Sequence, residues 1–234
     1  MKLAIMQPYF LPYIGYFQLI NAVDEFVIYD NIQYTKKGWI NRNRILVNNQ
    51  DQYISLPIKK DSDYLNVNQR ILTDDFKKEK IKILNKLKGC YFKAPYYNDI
   101  IKLLKDILDC SSQNLFEYIY NSILKIVEYI SIDTKILLSS SLDCNIEEYK
   151  AEKKVLIICK TLNASQYINP IGGVELYSRE YFKLNGIDLK FLQTEKIVYP
   201  QFKNEFVPNL SIIDVLMFNS KEEINLMLNK YTLI

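Results

Sequence analysis

The first thirty residues restrict the fold most. "KLAIMQP" reads as a short apolar strand stopped by Pro8, because proline has no N–H to give to a ladder. A loop with Pro12 and Gly15 follows, then the helical pattern "YFQLINAV", a turn at Asp24 and a second apolar strand, "EFVIYD". Strand, loop, helix and strand in so short a span predict a βαβ unit, and that unit demands a parallel sheet. The same stretch does not read as a signal peptide, since only Lys2 charges its start and prolines break the apolar run. Gln7, Gln18, Asn21 and the two prolines also argue against a membrane span, so the expectation is a cytoplasmic protein with no membrane insertion.

Downstream, "WINRNRILVNNQDQYISLPIKK" predicts a hairpin turning at "NNQD". Apolar positions three and four apart predict helices from Asp75 to about Ser131, with Gly89 as one stop and Pro95 as one start. Alternation then resumes: a strand at "KILLSSS", a helix at "EEYKAEKKVLIICKTLNA", a strand at "SQYINP", a loop at "IGGVELYS", a helix at "REYFKLNG", a strand at "IDLKFLQTE", and closing helices at "SIIDVLMFN" and "SKEEINLMLNKY". The expected fold is a single α/β domain over residues 1–234, a Rossmann-like three-layer core. It carries a β-hairpin and a mainly helical insertion over residues 75–131.

Composition narrows the chemistry. There is no histidine, which removes a Ser-His-Asp triad, a Cys-His pair and His-bearing zinc sites. Acid–base work would fall to Asp, Glu, Lys, Tyr or Cys, or to a group on the substrate. The four cysteines form no CxxC and read as reduced thiols, and no metal site is expected. A net charge of +3 is too small to argue for DNA, and the lysine-rich helices after Asp75 read as solvated faces before they read as a surface for an acidic partner.

Ligands of open α/β sheets bind at the carboxyl ends of the parallel strands. Gly15 and the Gly172-Gly173 pair follow predicted strands and so fall on that edge, with Gln7, Tyr13 and Tyr16 in the first loop. The densest cluster is "YTKKGWINRNRI", with Lys36, Trp39, Asn41, Arg42, Asn43 and Arg44. Strand alternation would put Trp39, Asn41 and Asn43 on one face and Arg42 and Arg44 on the other. Amides for a sugar or base and guanidiniums for phosphates suit a nucleotide-linked substrate, although a charged hairpin edge is the plainer alternative. Glu175 and Tyr177 follow the glycine pair, and Ser211 with Asp214 has the spacing of a capping box.

The motifs "MQPYFLPYIGYFQLI", "FVIYDNIQYTKKGWINRNRIL", "ISLPIKK", "YINPIGGVELY" and "FVPNLSIIDVL", in that order, resemble the WbqC-like family of bacterial proteins. The resemblance implies a role in O-antigen and related surface-polysaccharide biosynthesis. It further implies transfer of an amino acid, glycine first among the candidates, or a related acyl group to the amine of a nucleotide-diphosphate deoxyamino sugar. Tyr13-Ile14-Gly15-Tyr16 also resembles the HIGH motif of nucleotidylyltransferases and pantothenate synthetases, with tyrosine at both histidine positions. The resemblance leaves ATP or an aminoacyl-tRNA as the acyl-activating co-substrate, and a homo-oligomer as one state of the chain. In such a reaction Lys36, Arg42 and Arg44 would balance phosphate charge, and Asp30 or Glu175 would take the proton from the amine. Two other readings stand beside it: a non-catalytic nucleotide-sugar binding protein, and a nucleotidyltransferase.

Overall fold

The computed structural model describes residues 1–144, 148–149, 152–203 and 205–234. The expected βαβ unit is present: β1 (Lys2–Met6), α1 (Ile14–Asn21) and β2 (Glu25–Ile28), with β1 and β2 parallel and Leu3 opposite Glu25. β2 pairs in parallel with β5 (Lys135–Leu138), and β1 pairs in parallel with β6 (Gln166–Pro170), which pairs in turn with β7 (Asp188–Thr194). The sheet order is β5-β2-β1-β6-β7-β8. Chain direction across the sheet reverses between β1 and β6, the switch point of a doubly wound sheet.

Both faces of the sheet are covered. Leu3 and Ile5 pack with Val155, Ile158 and Phe182 from α5 (Glu152–Thr161) and α6 (Arg179–Leu184). Ala4, Phe26 and Ile28 join a larger core with α1, α7 (Ile212–Phe218) and α8 (Lys221–Leu228). Strands covered on both sides need apolar residues at nearly every position, which is why β1 and β2 show no polar alternation. The helices of residues 75–131 are α2 (Phe76–Tyr91), α3 (Tyr97–Leu108) and α4 (Leu115–Tyr129), and their buried side chains share that larger core. Gln18, fully buried on α1, donates through Nε2 to the carbonyls of Met227 and Lys230 and so ties α8 to the first helix.

The hairpin is β3 (Arg42–Val47) with β4 (Gln50–Ser55), joined by a two-residue turn in which Asn48 and Asn49 have φ of 48° and 65°. Two positive-φ residues make the turn whose twist suits a hairpin, and asparagine tolerates that region. Four expectations are corrected. Gly89 lies inside α2 and stops nothing, because the helix runs on to Tyr91. The helix expected from Glu147 starts at Glu152; Glu148 and Tyr149 are not helical, and residues 145–147, 150 and 151 lie outside the described residues. "IGGVELYS" is a 3-10 turn over residues 171–176 and not an irregular loop. Lastly, Tyr231–Leu233 forms β8, antiparallel to β7, where a helix end had been expected at Tyr231.

Candidate functional site

Three cavities line the carboxyl edge of the sheet. The first, about 680 Å³, opens at the switch point between β1 and β6 and is walled by Gln7, Tyr9, Tyr29, Asn169, Gly172, Gly173, Tyr177 and, from the start of α5, Glu152 and Lys154. The second, about 270 Å³, lies between the first loop and the hairpin, against Tyr9, Pro12, Tyr13, Trp39, Asn43, Arg44 and Asn209. The third, about 620 Å³, lies beyond β7, with Tyr13, Thr194, Lys196, Phe206 and Asn209 among its walls. Tyr9 borders the first two and Tyr13 the last two, so the loop after β1 is the partition between neighbouring spaces.

That loop is held from two distant directions. Asn43 Nδ2 donates to the carbonyls of Phe10 (3.2 Å) and Leu11 (2.9 Å), and Ser211 Oγ donates to Leu11 O at 2.7 Å. Ile212 N–H closes on Pro12 O at 2.8 Å. Leu11 is buried with φ of 45°, a left-handed conformation that costs a non-glycine residue about 1–2 kcal/mol, and these bonds keep it there. Asn43 and Ser211 therefore act on the loop. Ser211 also caps α7 by accepting from Ile213 N–H.

Asp214 does not complete a capping box with Ser211. Its carboxylate turns into the core, accepting from Tyr91 Oη (2.9 Å), Tyr199 Oη (2.8 Å) and Gln201 Nε2 (2.6 Å). Burial pushes its pKa up, and the bonds from Tyr199, Gln201 and Tyr91 only partly offset that. Tyr91 accepts from Leu46 N–H in turn, so this one carboxylate links α7, α2 and the hairpin.

The tetrad 13–16 divides in role. Tyr16 is buried, donates to Gln7 O at 3.0 Å and packs edge-on against Phe26. Tyr13 is hydrogen-bonded to the Thr194 side chain, and its ring folds back over Gly15, where a Cβ would sit 2.4 Å from the ring. Burial raises the pKa of Tyr9, Tyr13, Tyr29 and Tyr177, which leaves neutral phenols along the edge at neutral pH.

The cluster around Trp39 departs from the expected alternation. Trp39 and Asn41 precede β3 in a bent segment, so strand alternation does not reach them. Trp39 consequently lies on the same side as the arginines: the Arg44 guanidinium sits 5.4 Å from its ring, Tyr53 packs 6.1 Å from it, and Arg42 lies 4.9 Å from Tyr53. Asn41 accepts from Tyr34 Oη and donates to Leu56 O. Arg42 donates to the Gly38 and Lys37 carbonyls; Arg44 pairs with Asp51 at 3.0 Å and reaches Asn209 O, while its buried Nε has no partner.

The first cleft thus brings together Gln7, Gly172, Gly173 and Tyr177, and the second cavity Tyr13, Trp39, Asn43 and Arg44. Lys36 is exposed and paired with Asp63 at 2.6 Å, outside the walls of all three. Glu175 is exposed on the turn after β6. Asp30, buried at the end of β2, accepts from Ser139 Oγ (2.9 Å), Ser140 N–H (2.9 Å) and Asn68 Nδ2 (3.0 Å). Burial would raise its pKa, but the bonds from Ser140, Ser139 and Asn68 hold it below the ordinary value. A carboxylate so fully bonded makes a poor proton acceptor. Tyr9, Tyr29, Asn169, Glu152 and Lys154 were not singled out from the sequence. For Tyr29 and Asn169 a signal existed, since both stand where a parallel strand ends. Among the described residues no group of three or more Cys, Asp or Glu side chains is placed to hold a metal ion, and no helix is long and apolar enough to cross a membrane.

The family model of the WbqC-like protein family matches residues 7–226. The chain is also similar to the uncharacterized protein Rv1507c of Mycobacterium tuberculosis (strain ATCC 25618 / H37Rv), with 30% identity over 222 residues that cover 93% of each chain. No solved structure matches.

Proposed function

Because the chain belongs to the WbqC-like protein family, we propose that it acts in surface-polysaccharide biosynthesis, moving an amino acid, glycine first among the candidates, onto the amine of a nucleotide-linked deoxyamino sugar. The observation that carries this reading is the first cleft. It stands where open α/β sheets take their ligands, and about 680 Å³ is ample for a nucleotide sugar. Neutral hydroxyls and amides of Tyr29, Tyr177, Gln7 and Asn169 suit sugar hydroxyls, and Lys154 supplies positive charge for a diphosphate. Glu152 is the one carboxylate among the described residues of the cleft wall, and it already accepts from Ser178 N–H at 3.0 Å.

In this mechanism the sugar amine attacks the acyl carbonyl. The acyl group is activated as an adenylate by ATP or as an ester on tRNA. The C–N bond forms, the bond from that carbon to the AMP or ribose oxygen breaks with that oxygen as leaving group, and the proton released by nitrogen passes to Glu152. We read the core as one of the nucleotidylyltransferase type in which the first-loop histidines have given way to a partition tyrosine, Tyr13, and a core tyrosine, Tyr16. The test is incubation of the protein with glycine, candidate amino-sugar nucleotides and either ATP or charged tRNA, with mass spectrometry for a gain of one glycyl group. No gain under either donor condition, across several amino sugars, sinks the proposal. Glu152→Gln is expected to lower turnover by about 100-fold or more with nucleotide-sugar binding little changed.

A further inference from the structure

The hairpin and α2 form one surface that the first cleft does not use. Residues 76–91 carry six lysines and one glutamate, a local charge of +5 against +3 for the whole chain. Lys80 and Lys82 are paired with Asp109 and Glu79; Lys77, Lys78 and Lys88 have no ion pair among the described residues. The helix lies beside the hairpin, since Lys86 Nζ donates to Tyr53 O at 3.1 Å. On the hairpin itself, Trp39 and Tyr53 remain 38% and 50% exposed, each with a guanidinium held against its ring. Arg42 and Arg44 are already fixed by backbone carbonyls and Asp51, so they brace the rings and leave phosphate binding to the lysines. Trp39 and Arg44 also wall the second cavity, which meets the first cleft at Tyr9.

A run of lysines followed by exposed, braced aromatic rings has the chemistry of a single-stranded nucleic-acid track: charge for the backbone and π-faces for the bases. We propose that this surface binds the single-stranded end of an RNA. Lys78, Lys82 and Lys86, four residues apart along the flank of α2 beside the hairpin, take its phosphates. Trp39 and Tyr53 stack its last bases, and its terminal nucleotide enters the second cavity. Resting on the transfer reading above, an acyl group esterified to the terminal ribose would pass Tyr9 into the first cleft. There the amine displaces the ribose oxygen: C–N forms, the ester C–O breaks, and the ribose oxygen recovers the proton that nitrogen gives up. No ATP is consumed in that step.

Fluorescence anisotropy with a short fluorescein-labelled single-stranded RNA tests the surface without any sugar present. The expected result is binding that weakens with salt, with a log–log slope near −0.7 per neutralised phosphate; the Lys78→Gln/Lys82→Gln/Lys86→Gln triple variant should flatten it by roughly 2. Trp39→Ala should weaken binding about tenfold to hundredfold, and Trp39→Phe, which keeps a ring, should recover most of it. Absence of salt-sensitive binding overturns the inference, as does equal binding of inorganic polyphosphate with Trp39→Ala silent. Preference for phosphatidylglycerol vesicles over RNA also overturns it, and would assign α2, with Ile81 and Phe92 exposed, to a membrane surface. Glycyl transfer from free glycine and ATP with no RNA would refute this inference and leave the proposed function standing. RNA binding without transfer from any donor would do the reverse.

Discussion

Two adjacent glycines should answer the same substitution in opposite ways. A Cβ built on Gly172 meets nothing within 4 Å, and neither Gly172 nor Gly173 has a left-handed φ. Gly172→Ala should therefore be neutral, or stabilising by up to about 1 kcal/mol through a less flexible unfolded chain. On Gly173 the same carbon would fall 1.8 Å from Asn169 Nδ2 and 3.1 Å from its Cγ, with the Tyr177 ring at 3.3 Å. Asn169 cannot simply swing aside, because it is buried and its Oδ1 accepts the hydroxyl of the fully buried Tyr167 at 3.0 Å. Stranding that hydroxyl costs about 1–3 kcal/mol, and crowding a packed site costs about 1–3 kcal/mol. Gly173→Ala should then lose about 2–6 kcal/mol, which in a chain of this length lowers Tm by roughly 4–24 °C. Calorimetry of the wild type and both variants at neutral pH decides it. A Gly173→Ala protein within about 0.5 kcal/mol of wild type, or a Gly172→Ala protein that falls equally far, would refute the argument. In nucleotide-sugar titrations, Gly172→Ala is expected to bind more weakly despite its intact fold, since its new methyl projects where the cleft wall is open.

Asp214→Ala should cost about 3–5 kcal/mol in denaturant unfolding, because it strands Tyr91, Tyr199 and Gln201 in the core; Asp214→Asn, which removes a buried charge and keeps its shape, should cost clearly less. The two buried carboxylates should pull stability oppositely with pH. Asp30 has a lowered folded pKa, so its contribution is present above about 3.8 and lost as pH falls through the folded value. Asp214 has a raised folded pKa, so its contribution is full below about 3.8 and lost as pH rises through the folded value. Tm measured against pH should show a shallower acid loss in Asp30→Asn, and an unchanged profile would discount the Ser139, Ser140 and Asn68 bonds. Asn43→Ala should cost about 1–3 kcal/mol and speed amide exchange at Phe10 and Leu11, with protection elsewhere retained; unchanged exchange there would mean that Ser211 and Ile212 hold the loop without Asn43.

The parallel sheet was legible because strands buried on both faces must be apolar throughout, and "KLAIM" and "EFVI" are. The hairpin was legible from "NNQD" because asparagine accepts the turn's positive φ. The sequence put Gln7 and the Gly172-Gly173 pair at the carboxyl ends of the strands, and the fold gathers them with Tyr177 around one cavity. What residue type alone could not show was how a polar side chain spends its bonds. Asn43, Ser211 and Asp214 have the chemistry of ligand contacts, yet all three are committed inside the protein through partners far away in sequence. Glu152 was missed for the complementary reason: within its segment it looks like one more charge on a helix surface, and only the approach of α5 to the end of β1 gives it a cleft to face.

The loop over residues 7–13 has a consequence for how this protein is made. It leaves the ribosome 200 residues ahead of one of its pins, the Ser211 hydroxyl that donates to Leu11 O. Contacts that distant form late, since closing so long a loop costs entropy before it returns any contact. Nascent chains shorter than about the length needed to deliver Ser211 should carry β1 and α1 without a settled partition between the cavities, so ligand competence would arrive only once Ser211 has emerged.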